Sequence, residues 1–313
     1  MRIAVYLPLL LSLLAPFGAR LLAERCEPRL ATWLLTTSAV VLAAASTISL
    51  GLLAVTGVIR FPLLAHLGHW SARAAQRDDP AELSVALLAG VLLGGAVLAA
   101  ARVLWRRARS LAAAAQEAAC MPAPDGLVVV EDETPDAFAL PGLPGRVIVS
   151  TGMLQALEES EHDILLAHER AHLAAHHYLF VAFAGLGAAA NPLLRPLATA
   201  VTYTVERWAD ESAAITAGDR ARVARTVGKA ALAGHHAPAR TRVSGAALGI
   251  LGRRSGLSAA GPVPRRVAAL LAPPLRRHPG LVFATAALLA AVAWSTADAA
   301  DDLHRLLEVV GAW

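Results

Sequence analysis

Apolar positions in this chain gather into long unbroken runs. Four of them, Ile3–Leu22, Leu30–Ile59, Leu83–Leu104 and Gly280–Ala297, reach the roughly 17–25 residues that a helix needs to cross a bilayer. The second exceeds that length, so it is expected to tilt or to continue past the membrane. The first follows Arg2 and has the outline of a signal peptide. It closes with Pro16, Phe17, Gly18 and Ala19, and Phe17 stands where a cleavage site wants a small residue, so an uncleaved first span is expected.

Between the third and fourth runs the pattern shortens. Gly126–Val130 and Arg146–Ser150 are Val/Ile-rich and bounded by Gly, Pro or Asp, and read as strands, with Ala137–Leu140 as a third between Pro135 and Pro141. Helices are expected from Thr151, from near Glu159 through His177, over Leu197–Ala217 and over Asp219–Ala233. The stretch Gly234–Pro264, rich in Gly, Ser, Arg and Pro, reads as a loose connector. Tyr178–Leu194 is apolar and nearly long enough to span, but Asn191 and Pro192 interrupt it. A buried or interfacial helix pressed against the bilayer is expected there; a crossing would move everything after it to the other side.

The expected fold class is therefore a mostly α membrane protein, with about four transmembrane helices and an α+β domain between the third and fourth. Residues 1–106 form a three-span region and 107–233 the domain. Residues 234–279 form a basic connector, and 280–313 the last span and a short tail.

Composition supports the membrane. The 313 residues are 56% hydrophobic and 17% charged, where a soluble domain is about 45–50% apolar and about 25% charged. Charge then gives an orientation. Arg20, Arg25 and Arg29, then Arg102, Arg106, Arg107 and Arg109, then Arg265, Arg266, Arg276 and Arg277 fall on one side if three spans precede the domain and one follows. Positively charged flanks mark the cytoplasm, so residues from about 107 to 278 are expected there. The alanine and arginine excess suits a GC-rich bacterial genome. The formal charge of +4 comes without a basic stripe interleaved with aromatics, so direct nucleic-acid binding is not expected. Cys26 and Cys120 lie at span ends on the reducing side, where no disulfide is expected, and lack CxxC spacing.

The candidate chemistry lies in the domain. His168, Glu169 and His172 spell H-E-x-x-H. On a helix, positions i and i+4 share a face, so both imidazoles can reach one Zn²⁺ at about 2.0–2.1 Å. Glu169 points to the neighbouring angle, where it can take a proton from a metal-bound water. The bland alternative is an ordinary polar helix face, although such costly residues in so apolar a chain tend to serve a use. A catalytic zinc wants a third protein ligand. A histidine ten residues after the first is absent, since Tyr178 stands there. His176 and His177 read as polar residues at a helix end or membrane interface, and His235 and His236 as bland. Glu206 and Asp210, four apart, offer another route: Glu206 as the third ligand and Asp210 as acceptor for the spare N–H of a ligating histidine. Their alternative is a solvated acidic face beside Glu211.

H-E-x-x-H followed by Glu206-Arg-Trp-Ala209-Asp210 resembles the E-x-x-A-D arrangement of the membrane-bound gluzincin peptidases: the HtpX type, the prenyl-protein proteases and the BlaR/MecR antirepressor family. Upstream, Pro135 to Gly142 is similar to their P-N-A-F strand, with Asp136 in place of asparagine, and Arg146 to Leu154 to the strand and helix before their active site. The likeness covers about residues 125–215. Three spans, a domain and a last span, together with Ala190 to Leu197, resemble the BlaR/MecR branch. About sixteen residues follow the last span, so that branch's penicillin-binding sensor is expected to be lacking. The resemblance implies a zincin-like fold and one Zn²⁺ on His168, His172 and Glu206. It also implies Glu169 as general base and acid, and a cytoplasmic repressor or other regulatory protein as substrate, cleaved in signal transduction. Partners would be that protein, the lipid bilayer of a bacterial cell membrane and a second copy as a homodimer, with no direct nucleic acid. An HtpX-like quality-control protease and a non-catalytic zinc-binding scaffold are the alternatives. Such peptidases commonly pair an extended peptide with an edge strand, for which Ala137–Leu140 or Val147–Ser150 is expected.

Overall fold

The computed structural model describes residues 4–59, 83–123, 125–235, 262–275 and 277–311. Helix dominates. The first apolar rod joins α1 (Leu7–Leu11) and α2 (Ala15–Arg25) through short 3-10 turns, and α3 (Pro28–Ile59), α4 (Leu83–Cys120) and α11 (Pro279–Gly311) supply the other long helices. Among the described residues, four stretches are long and apolar enough to cross a membrane: Ala4–Arg25, Pro28–Val55, Leu83–Cys120 and Pro279–Arg305. Large apolar side chains on them face outward, with Val91 73%, Phe283 76% and Trp294 77% exposed. That pattern is costly in water and neutral in hydrocarbon.

The third run outlasts its expected end at Leu104. Alanine, arginine and glutamine favour helix, and α4 continues unbroken to Cys120, a rod of roughly 57 Å. Its far end lands on the sheet, where Ala114 and Ala118 pack against Leu140 and Ile148.

The sheet holds β1 (Leu127–Val130), β2 (Ala137–Leu140) and β3 (Arg146–Ser150) in the order β1-β3-β2. β1 runs parallel to β3, with Leu127 opposite Val147, and β2 antiparallel, with Ala137 opposite Val149. β3 is the central strand, which corrects the expectation that Val147–Ser150 could be an edge. Its four consecutive buried residues suit a strand covered on both faces. β2, which lies against the helix carrying H-E-x-x-H, keeps an edge.

Among the described residues, five helices complete the domain: α5 (Thr151–Ala156), α6 (Glu159–Ala174), α8 (Arg195–Ala217), α9 (Arg220–His235) and α10 (Pro262–Leu271). Val147, Val149, Met153, Ile164, Leu165, Ala213, Val223, Val227 and Leu270 form their shared core. The expected connector thus contains a folded helix, α10; residues 236–261 of it lie outside the described residues.

Between α6 and α8 runs α7 (His177–Ala190), the segment left ambiguous by its hydropathy. It follows α3 in the same direction. Phe180 meets the Trp33 ring at 4.8 Å, and Gly187 lies so close to Ala39 that an added Cβ would be 2.8 Å from the Ala39 carbonyl oxygen. Asn191 Nδ2 donates to Ser12 Oγ (2.9 Å) and Ser46 Oγ (3.1 Å), while Asn191 Oδ1 accepts from the Leu193 N–H. The chain reverses there, and α8 returns along α3 until Thr32 Oγ1 donates to Thr204 Oγ1 at 2.9 Å. The ambiguous segment is therefore one arm of a helical hairpin, and the reversal brings Glu206 back to the end where α6 lies.

Candidate metal centre

Local sequence builds the two halves of the centre. α6 starts at a capping box, in which Glu158 and Glu161 each accept from the other's backbone N–H. Its inner face carries Ile164, Leu165, His168, Glu169 and His172, all buried. α8 has Pro196 in its first turn, where the missing N–H costs nothing. Its buried stripe, Leu197, Val201, Val205, Ala209 and Ala213, recurs every fourth residue, and Glu206 and Asp210 sit beside it.

At their crossing the side chains converge. His168 Nε2 and His172 Nε2 are 3.2 Å apart. Glu206 places Oε2 3.7 Å from His168 Nε2 and Oε1 3.7 Å from His172 Nε2. Four tetrahedral ligands about 2.0–2.1 Å from a zinc ion stand roughly 3.3 Å from one another, so this triangle has the size that a zinc ion requires. All three ligand atoms lie within 4.8 Å of one another, and all three residues are buried. Glu169, between the histidines in sequence, is fully buried in the same place.

Asp210 Oδ1 lies 3.1 Å from His168 Nδ1, behind the ligand. Arg266, on α10, is 1% exposed. Its Nε and Nη2 donate to the two Asp210 oxygens at 2.8 and 2.6 Å, and its Nη1 lies 2.9 Å from Glu206 Oε2. Hydropathy and charge assigned Arg266 to the span-flanking cluster with Arg265, Arg276 and Arg277, and so missed it. A signal was present: Val263, Arg266, Val267 and Leu270 follow the i, i+3, i+4, i+7 spacing of one helix face, which puts Arg266 on the buried side. Arg265, one position earlier, stacks over Tyr203 instead.

His177 is the second correction. Expected as a bystander at a helix end, it is completely buried. Its Nδ1 is 2.9 Å from His172 Nδ1, and its ring lies 4.6 Å from that of Trp208. His176 stays outside the centre, exposed and in the left-handed region with φ of 49°.

Electrostatics fit a divalent cation. Glu169, Glu206 and Asp210 set three carboxylates against one guanidinium, Arg266, leaving two excess negative charges in a buried cluster once His168 is neutral, as a metal ligand must be. Burial pushes the His168 imidazole down, but Asp210 and Glu206 outweigh it and hold it up at about 9. Burial also dominates at His172, where it lowers the imidazole well below its ordinary value despite Glu206. Burial would raise both Asp210 and Glu206, yet Arg266 and His168 hold each below the usual carboxylate range. The donor set of two imidazoles and a carboxylate is that of a catalytic zinc site.

A family model described as peptidase family M48 matches residues 100–273, more than half of the chain. That range takes in the far half of α4, the sheet, both helices of the metal centre and α10 with Arg266. No curated protein and no solved structure matches the chain.

Proposed function

The chain belongs to peptidase family M48, whose members are zinc-dependent metallopeptidases, and from that premise we propose that it is a membrane-embedded zinc endopeptidase acting at the cytoplasmic membrane surface. The observation that carries this reading is the convergence of His168, His172 and Glu206 from two helices, with Glu169 beside them.

His168, His172 and Glu206 hold the ion. Bound zinc supplies a Lewis acid for the peptide carbonyl and lowers the pKa of its water. Glu169 accepts the proton of the attacking water and returns it to the leaving amine, a contribution of about 10²–10⁴ in rate. Asp210 orients His168, and Arg266 holds both Asp210 and Glu206. An extended substrate pairs with the open edge of β2, which lies against α6.

Two features support this location. The outward apolar side chains of α4 and α11 face lipid. The arginines near the ends of α2 and α3 sit level with the centre: Arg29 lies 5.5 Å from the Trp208 ring, and Arg207 Nη1 donates to the Ala23 carbonyl at 3.2 Å. With the positively charged flank inside, the centre opens toward the cytoplasm and the α7–α8 hairpin enters the membrane beside α3 from that side.

The substrate is a cytoplasmic repressor or other regulatory protein, by likeness of span arrangement to the BlaR/MecR family. A second reading, membrane-protein quality control, is favoured by the hairpin: HtpX-type proteins carry two apolar segments inside the domain, and α7 with the first half of α8 resembles them. Proteomes of cells carrying the wild-type chain or Glu169→Gln separate these readings. Signalling predicts that one soluble regulator accumulates in the variant, whereas many accumulating membrane proteins favour quality control. An unchanged proteome would count against a peptidase altogether.

A further inference from the structure

The two histidines of the centre have different neighbours. His168 has a carboxylate at its outer nitrogen, with Asp210 Oδ1 3.1 Å from Nδ1. His172 has an imidazole there, with His177 Nδ1 2.9 Å from His172 Nδ1. Two ring nitrogens at that distance make a good hydrogen bond only if one carries the proton and the other a lone pair.

The ligand role decides which. An imidazole that offers Nε2 to a metal keeps its proton on Nδ1. His172 Nε2 faces the ligand triangle, 3.2 Å from His168 Nε2 and 3.7 Å from Glu206 Oε1. Its Nδ1–H must then donate, His177 Nδ1 must accept, and the His177 proton must sit on Nε2. No other arrangement of protons satisfies both the metal and the 2.9 Å contact with neutral rings.

The fold goes to some length to put His177 there. It follows His172 by five residues, which on a continuous helix would turn it well away from the ligand face. His176 instead adopts φ 49° and ψ 43°, α6 ends, and α7 departs at 57°. The turn aims the first side chain of α7 back at His172, with the two ring centroids 4.9 Å apart and the rings nearly perpendicular. Trp208, two residues past the ligand Glu206, closes the other side of the ring at 4.6 Å. Trp208 also meets Arg29 and Phe180, so His177 is held between the metal centre and the start of α3.

We propose that His177 is a positioning residue for the metal: by accepting the Nδ1–H of His172 it fixes the tautomer and ring orientation that present His172 Nε2 to the ion. This rests on the zinc reading above. Partners of this kind set metal affinity by about 10–100-fold. It also gives the α7–α8 hairpin a function, since the first residue of the hairpin sets one of the ligands.

The test uses the full chain in detergent and Zn²⁺ as probe, with affinity read by competition against a chelator. His177→Phe keeps an aromatic ring but removes the acceptor, and is expected to weaken zinc binding about 10–100-fold. His177→Asn puts an oxygen acceptor close to the position of Nδ1 and is expected to restore affinity to within about threefold of wild type. Wild-type affinity in His177→Phe, or an Asn variant as weak as the Phe variant, would overturn the proposal. Should His177→Phe fail to fold, ¹⁵N spectra of the zinc-loaded wild-type histidine rings decide: a proton on His172 Nδ1 and none on His177 Nδ1 supports it, and the reverse refutes it. A wild-type chain that binds no zinc would instead defeat the reading on which the proposal rests.

Discussion

At the scale of single residues, the centre is governed by how buried charges balance. In the metal-free chain Asp210 and Glu206 hold a proton on His168, up to a pKa of about 9. Zinc must displace that proton. The sign is therefore set: apparent zinc affinity should rise about tenfold per pH unit from about pH 6.5 to 8.5 and level off above about 9, as read by chelator competition across buffers. A flat profile would mean that His168 is neutral throughout. Arg266 gives a second prediction. Replacing it with Met leaves Asp210 and Glu206 buried without their guanidinium, a loss of about 3–5 kcal/mol, visible as a lower melting temperature of the metal-free chain. Added zinc should recover part of the loss, because the ion offsets the same negative charge. The ligands and Asp210 were legible in the sequence because His168 with His172, and Glu206 with Asp210, each lie at i, i+4 on one helix, where spacing implies a shared face. His177 was not, because a left-handed residue re-aims it against the helical periodicity. Arg266 stood on an apolar face in the pattern, but its membership of an arginine-rich stretch suggested a membrane flank.

At the scale of elements, the hairpin of α7 and α8 allows one centre to be built from distant segments. The reversal at Asn191 depends on close packing against α3, tightest at Gly187. Gly187→Ala puts a Cβ 2.8 Å from the Ala39 carbonyl oxygen. It should cost about 1–3 kcal/mol as overpacking and lower zinc affinity with it. Gly185→Ala, on the same helix with nothing within 4 Å, should be neutral or stabilising by up to about 1 kcal/mol. Thermal unfolding of the two variants in detergent compares them directly, and equal melting temperatures would remove the close approach from the account. The strands were readable as short Val/Ile runs between breakers. Their order was not, because which strand is central depends on α4 and α6 covering both faces of β3. The length of α7 was readable too, but its direction was not: hydropathy is the same for a helix that crosses and one that turns back.

At the scale of the whole molecule, composition and the arginine clusters carried most of what could be known: a chain rich in membrane-length helices, with a domain between the third and the fourth. The shared centre adds a constraint that hydropathy lacks, since residues just before α6 and at the end of α8 must lie on one side. Leu143 (95% exposed) and Ile215 (83% exposed) flank it in sequence. With Cys120 replaced by Ser, Leu143→Cys and Ile215→Cys should both react with a membrane-impermeant thiol reagent in inside-out vesicles, and neither in intact cells. Labelling from opposite sides would break the centre apart.

The most direct test is of the zinc peptidase itself. Purified wild-type chain and Glu169→Gln are each measured for bound zinc and for cleavage of an unfolded protein substrate. The account predicts one zinc ion per chain in both, with cleavage in the variant at least about 100-fold slower. Cleavage by Glu169→Gln at the wild-type rate, or a wild-type chain that cleaves without zinc, would contradict it.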